Sequence, residues 1–308
     1  MKENEKITVR LRENLAAGGF KSSIVSVKRL HKLKDDIENQ RQLKSFSGKF
    51  FDGSLSHLKF EPPGELKTAA SVIVTAAQQT KINVKFKLSG KTHPVIIPPI
   101  YSLDTDEKAF NIISQVLNDY GYKTAKAVLP EKLLAVRSGL AEYGKNNITY
   151  INGWGSFFRI RAFYSDLPCN NDDLQEFKMM DRCEKCSACI KKCPTNAILT
   201  DRFLVKAEQC LTYFNEGQEK FPEWLDPLAH NCLIGCMVCQ EVCPLNRDNI
   251  NKTTGGFEFS ETETKLILNG TAKDRLPEST FEKLRKLWML EDYDLLKRNL
   301  AVLINKAD

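Results

Sequence analysis

Cys183-Glu184-Lys185-Cys186-Ser187-Ala188-Cys189-Ile190-Lys191-Lys192-Cys193-Pro194 is the stretch from which the rest of the chain is read. Its C-x2-C-x2-C-x3-C-P spacing is the sequence mark of thiolate ligation to [4Fe–4S] iron. A shorter run follows as Cys236-x2-Cys239-x3-Cys243-Pro244, and Cys210 stands between the two. In two-cluster modules the fourth cysteine of a run ligates the other cluster. That rule divides eight cysteines without remainder. One cluster takes Cys183, Cys186, Cys189 and Cys243; the other takes Cys193, Cys210, Cys236 and Cys239. A ferredoxin-like module with two [4Fe–4S] clusters is therefore expected over residues 169–250.

Cysteines at such spacing have two rival uses, disulfides and zinc. Disulfide frameworks belong to secreted chains. The opening Met1-Lys2-Glu3-Asn4-Glu5-Lys6 has no apolar core of a signal peptide. No stretch approaches the roughly 18 apolar residues of a membrane helix. A cytoplasmic location with no membrane partner is the expectation. Zinc sites pair two C-x2-C knuckles across a loop, but interleaved runs that each end in Cys-Pro favour iron–sulfur cubes. Cys169 and Cys232 fall outside the pattern and read as small buried hydrophobes. Cys232 is close enough to Cys236 to stand as an alternative ligand.

The 308 residues, 42% apolar, suffice for one large or two smaller domains. The net charge of +6 is uneven: residues 1–170 hold 26 Lys and Arg against 16 Asp and Glu, residues 171–308 hold 19 against 23. The basic half suits an anionic partner such as RNA or a phosphorylated cofactor. A solvated lysine surface is the plainer reading, because Lys81, Lys85, Lys87 and Lys91 are scattered and form no stripe with aromatics. His31, His57, His93 and His230 are not grouped at ligand spacing.

Along the chain, residues 1–60 read as mainly helical, with a helix end at Ala16-Ala17-Gly18-Gly19-Phe20. Ala69 to Ala76 is a buried strand by its β-branched run, and Ile82 to Leu88 alternates as a half-exposed strand. Val95-Ile96-Ile97 is extended. Thr105 to Asp119 has helical spacing, and Pro130 opens a helix expected to run towards Gly144. Ile148 to Phe163 reads as a hairpin, residues 251–272 as a surface loop, and Ser279 to Ala307 as two amphipathic helices.

Four segments carry a family likeness: the cysteine module, Leu134 to Asn146, Gly155-Ser156-Phe157-Phe158 with Ser165-Asp166-Leu167-Pro168, and Lys297 to Leu303. With these the chain resembles the epoxyqueuosine reductases and, more distantly, the corrinoid reductive dehalogenases. The resemblance implies an α+β protein: an α/β corrinoid-reductase-like domain at 1–168, the cluster module at 169–250, and a loop with C-terminal helices at 251–308. It implies an oxidoreductase whose clusters reduce a bound cobalamin, with Lys145, Ile148 and Ser156 bordering the corrinoid mainly through backbone. It also implies a flavodoxin- or ferredoxin-type electron donor and tRNA as a partner.

One departure stands out. Where the family carries an acidic Asp-Thr-Gly-Pro element as proton donor, this chain reads Ala127-Val128-Leu129-Pro130. Asp104, Asp106, Glu131, Tyr143 and Tyr150 are nearby replacements, and nothing in the sequence selects one, so the catalytic residues stay unassigned. The alternative reading is a non-catalytic two-cluster electron carrier or accessory protein without corrinoid. A third is an RNA-binding protein that uses its clusters structurally.

Overall fold

A computed structural model of the chain describes residues 3–101, 104–169, 175–177 and 179–307. The chain divides into two compact units, Met1–Gln78 with Leu103–Cys186, and Gln79–Ser102 with Ser187–Asp308. It opens with helix α1 (Glu3–Ala17), strand β1 (Phe20–Ser26), helices α2 (Leu30–Gln42) and α3 (Gly48–Ser54), and strand β2 (Ser71–Gln78). Strands β3 (Lys81–Leu88) and β4 (Lys91–Ile97) belong to the second unit. The first unit resumes with α4 (Asp104–Asn118), β5 (Thr124–Lys126), α5 (Glu131–Arg137), the short pair β6 (Glu142–Tyr143) and β7 (Thr149–Tyr150), and β8 (Phe158–Ser165).

The first unit is built on one sheet in the order β1-β2-β8-β5, antiparallel at every step. The register sets Ile24 against Ile73 and Ile73 against Phe163. Side chains alternate across a strand, so these three share a face, and they pack with Ile7, Leu11 and Leu15 of α1 and Ile113 and Leu117 of α4. The i, i+4, i+8 spacing on α1 supplies its buried stripe.

The second unit continues with α6 (Ala188–Lys192), α7 (Leu211–Glu216), α8 (Val238–Glu241), β9 (Thr253–Phe259), α9 (Glu261–Leu268), α10 (Glu278–Lys286) and α11 (Tyr293–Ala307). Its sheet runs β4-β3-β9, with β3 and β9 parallel. Phe86 and Phe259 are register partners and stack at 4.8 Å. Around them the core gathers Val84, Ile97, Leu284, Leu296, Leu300 and Ile304. Ser260 starts α9 with a capping box, its side chain accepting from Glu263 N–H while Glu263 accepts from Ser260 N–H.

Residues 1–60 are mainly helical, as expected, with β1 added between α1 and α2 and paired with β2 along its full length. Three sequence expectations are corrected. The helix opened at Pro130 stops at Arg137, because Gly139 adopts φ +72° and the Gly139 and Leu140 N–H groups fold back on Val136 and Ala135. Residues 148–163 form no simple hairpin. Gly153 (φ +81°) and Gly155 (φ +63°) break the segment, and β8 pairs with β2 and β5. The segment 251–272 is not a loop, since it contains β9 and α9. The strands at 71–78 and 81–88, helix α4 and the two tail helices stand where their patterns placed them.

Candidate iron–sulfur centre

Each Cys-Pro step shapes its cysteine. The residue before a proline is held out of the helical region. Cys193 is accordingly extended (φ −60°, ψ 118°) and ends α6, while Cys243 (φ −74°, ψ 123°) precedes a single turn over Pro244–Asn246. Cys210 is also extended and caps α7. Cys239 lies within α8, one turn beyond Cys236, and α8 packs against α6. None of the ten cysteines is joined in a disulfide.

Within the second unit, Cys193, Cys210 and Cys236 are near enough for their charges to act on one another, though among the described residues no group of three or more His, Cys, Asp or Glu is gathered tightly enough to hold a single metal ion. Burial raises the Cys236 thiol to about 11, helped by the nearby charges of Cys210 and Cys193. Burial likewise raises Cys210, with Cys193 adding to the effect. Hydrogen bonds to the sulfurs oppose these shifts. The Thr212 backbone and hydroxyl act on Cys210, Val238 N–H and Asn231 on Cys236, and Ala197 N–H lies 3.3 Å from Cys193 Sγ. Buried sulfurs ringed by N–H donors fit thiolates that carry a metal's charge. The residues present therefore fit an iron–sulfur cluster, which would take the thiol protons' place on binding.

The other run begins in the first unit. Cys183 closes a single turn over Asp181–Cys183. Just upstream, Met180 N–H donates to the Tyr143 carbonyl at 2.9 Å, and Met179 bridges Tyr143. The β6–β7 turn thus anchors the entry to the run. Gly144 is required there, because a Cβ would meet the Tyr150 ring at 2.6 Å. The Lys145 ammonium reaches Cys186 O at 3.0 Å and Glu184 O at 3.4 Å. Ile148 is half-buried, with its N–H on Asn146 Oδ1, and Ser156 is buried. The Trp154 ring is half-buried, with the Lys21 ammonium 4.6 Å from its centroid.

The two cysteines outside the pattern separate. Cys232 is 1% exposed, its thiol held well above the ordinary range by burial, and it donates to Asn231 Oδ1 at 3.2 Å. Cys169 is half-buried and 3.8 Å from Ile24 O.

The acids near α5 are committed to arginines. Asp106 takes Arg159 at 2.6 Å and Arg161 at 2.5 Å, and Glu131 takes Arg161 at 3.1 Å. Burial raises Glu131 despite that arginine. Burial raises Tyr143 as well, with the Asp36 charge adding to it. Tyr150 accepts from Asn146 at 2.9 Å, and Asp104 is exposed at the start of α4. A cavity of about 1020 Å³ opens elsewhere in the first unit, lined by Phe51, Leu55, Phe60, Lys126, Val128 and Tyr164. Val128 belongs to the Ala127–Pro130 segment.

Sequence reasoning did not find the asparagines that hold the module's loops. Asn299 Nδ2 on α11 donates at 2.9 Å to both Asn215 O and Leu233 O, and Asn215 Nδ2 donates to Gly235 O at 2.8 Å. Arg298 and Lys306 reach the carbonyls of Phe214 and His230, at 2.8 Å each. The only sequence signal was the Lys297–Leu303 segment, which resembled a closing helix.

Residues 182–246 match the family described as 4Fe-4S double cluster binding domain. The chain resembles the epoxyqueuosine reductases. It is 30% identical over 188 residues to the epoxyqueuosine reductase of Cyclobacterium marinum, covering 59% of this chain and 56% of that one. With that of Escherichia coli (strain K12) it shares 37% over 122 residues, 39% of this chain and 31% of the relative. It thus spans little more than half the length of the first and a third of the second. Its fold is that of solved epoxyqueuosine reductases. The Bacillus subtilis structure superposes with a TM-score of 0.67 at 18% identity, covering 99% of this chain and 82% of that one. A structure of epoxyqueuosine reductase with a tRNA-Tyr epoxyqueuosine-modified stem loop gives 0.68 at 18%, with the same coverage. Among the described residues, no helix is long and apolar enough to cross a membrane.

Proposed function

We propose that this protein is an iron–sulfur oxidoreductase in which two [4Fe–4S] clusters pass electrons to an acceptor held by the first unit. The observation that carries this reading is the nearness of Cys193, Cys210 and Cys236 to one another under a set of N–H donors. The clusters are divided as Cys183, Cys186, Cys189 and Cys243 against Cys193, Cys210, Cys236 and Cys239. Cobalamin is the acceptor that the resemblance implies. When bound, a corrin supplies the cobalt centre that takes up the electrons. This chain's part is to fix the first cysteine run through Lys145, to offer the 145–156 backbone and the Trp154 ring, and to keep water from the cofactor. A ferredoxin- or flavodoxin-type protein delivers the electrons, and a tRNA nucleoside is the substrate by analogy with the stem-loop complex. The protein works in the cytoplasm.

Anaerobic protein tests the reading directly. It should absorb broadly near 400 nm, carry about eight irons, and develop a corrin band after incubation with cobalamin. Colourless protein, or protein holding zinc, overturns the redox reading. A second reading, an electron carrier or accessory protein without corrinoid, is favoured by Ala127 standing where the family has a proton donor. Full iron with no corrin band selects it.

A further inference from the structure

Asn231 makes four contacts with one side chain. Nδ2 donates to Ala229 O at 3.0 Å and to Cys236 Sγ at 3.2 Å. Oδ1 accepts Met237 N–H at 2.9 Å and the Cys232 thiol at 3.2 Å. A neutral amide has two N–H donors and two acceptor lone pairs, so its capacity is filled. The Met237 N–H fixes which end is oxygen, and this aims one N–H at the sulfur. Cys232 is 1% exposed and spends its S–H on the amide.

Resting on the iron–sulfur reading above, we propose that Asn231 is a positioning residue that sets the reduction potential of the cluster ligated by Cys236, and that Cys232 is a thiol that locks the amide and not a ligand. A reduced cluster carries one more negative charge than an oxidised one. An N–H aimed at a ligating sulfur stabilises the reduced form more, and so raises the potential. The electron comes from the external donor protein, and no bond is made or broken at Asn231.

The experiment is a potentiometric titration of anaerobic protein followed by electron paramagnetic resonance, with iron counted in each sample. In Asn231→Leu, iron should stay complete and one of the two couples should move to lower potential. The expected change is about tenfold in the reduced-to-oxidised ratio, about 59 mV for one electron, while the other couple stays in place. Cys232→Ala should also keep full iron and shift the same couple less. Full iron with both couples unmoved in Asn231→Leu overturns the proposal, as does loss of iron in Cys232→Ala. If Asn231→Leu itself loses iron, wild-type protein labelled with 15N in its asparagine side chains decides by pulsed resonance. A weak 15N coupling to a reduced cluster supports the contact, and its absence overturns it. Wild-type protein without iron would instead sink the function, a separate result.

Discussion

The Lys145 ammonium lies 3.0 Å from the backbone carbonyl of Cys186, so a side chain on the β6–β7 turn holds the peptide of a cysteine proposed as a cluster ligand. A hydrogen bond from a charged donor contributes about 1.5–3 kcal/mol. Lys145→Met should therefore leave the fold intact but loosen the Cys183–Cys186 segment. In the presence of a ferrous chelator, half the iron should leave several-fold faster than in wild type, and the other half at the wild-type rate. A uniform loss would show that Lys145 supports something broader.

Iron counting tests the ligand division. Cys186→Ala and Cys239→Ala should each retain about half the parent iron, because each removes one ligand from a different cluster. Full iron in either variant means that the partition is wrong.

Asn299 is fully buried and gives both its N–H groups to the carbonyls of Asn215 and Leu233. Asn299→Ala strands two buried acceptors, each costing about 1–3 kcal/mol. Denaturant unfolding of anaerobic protein should show a loss of about 2–4 kcal/mol, allowing for partial rescue by water. A loss under about 0.5 kcal/mol, the usual bound for a surface change, would mean that α11 is held by its apolar face alone.

His230 is 1% exposed, and burial together with Arg298 and Lys306 lowers its pKa to about 4. The unfolded chain binds that proton near pH 6.5, so it takes up a proton before the folded chain does. Stability is complete above about pH 6.5 and falls as the pH drops towards 4. His230→Gln should flatten this part of the stability profile relative to wild type, measured by unfolding at matched pH values. An unchanged slope would show that the imidazole is charged in the folded protein.

The cysteine runs were legible because ligand spacing is a local property of sequence. So were β2, α4 and the tail helices, whose apolar periodicity matches the faces they bury. β1 was missed because Lys21, Ser22 and Ser23 dilute its apolar signal; its register with β2 comes from the main chain. β9 escaped for the same reason. Gly255 and Gly256 read as loop, and most of its side chains are exposed, yet β3 supplies it with hydrogen-bond partners. The contact of Lys145 with the Glu184 and Cys186 carbonyls is a tertiary one that no spacing reveals. Asn231 and Asn299 were invisible because an isolated asparagine becomes informative only when its four hydrogen-bonding directions are known.

The carbonyls of Phe214, Asn215, His230 and Leu233 all terminate on Arg298, Asn299 or Lys306 of the last helix. That helix therefore acts as a lever on the loops that lead into Cys236. Peeling it away by force or by a protease would drag those peptides with it, and bleaching of the metal centre would precede the melting of either sheet.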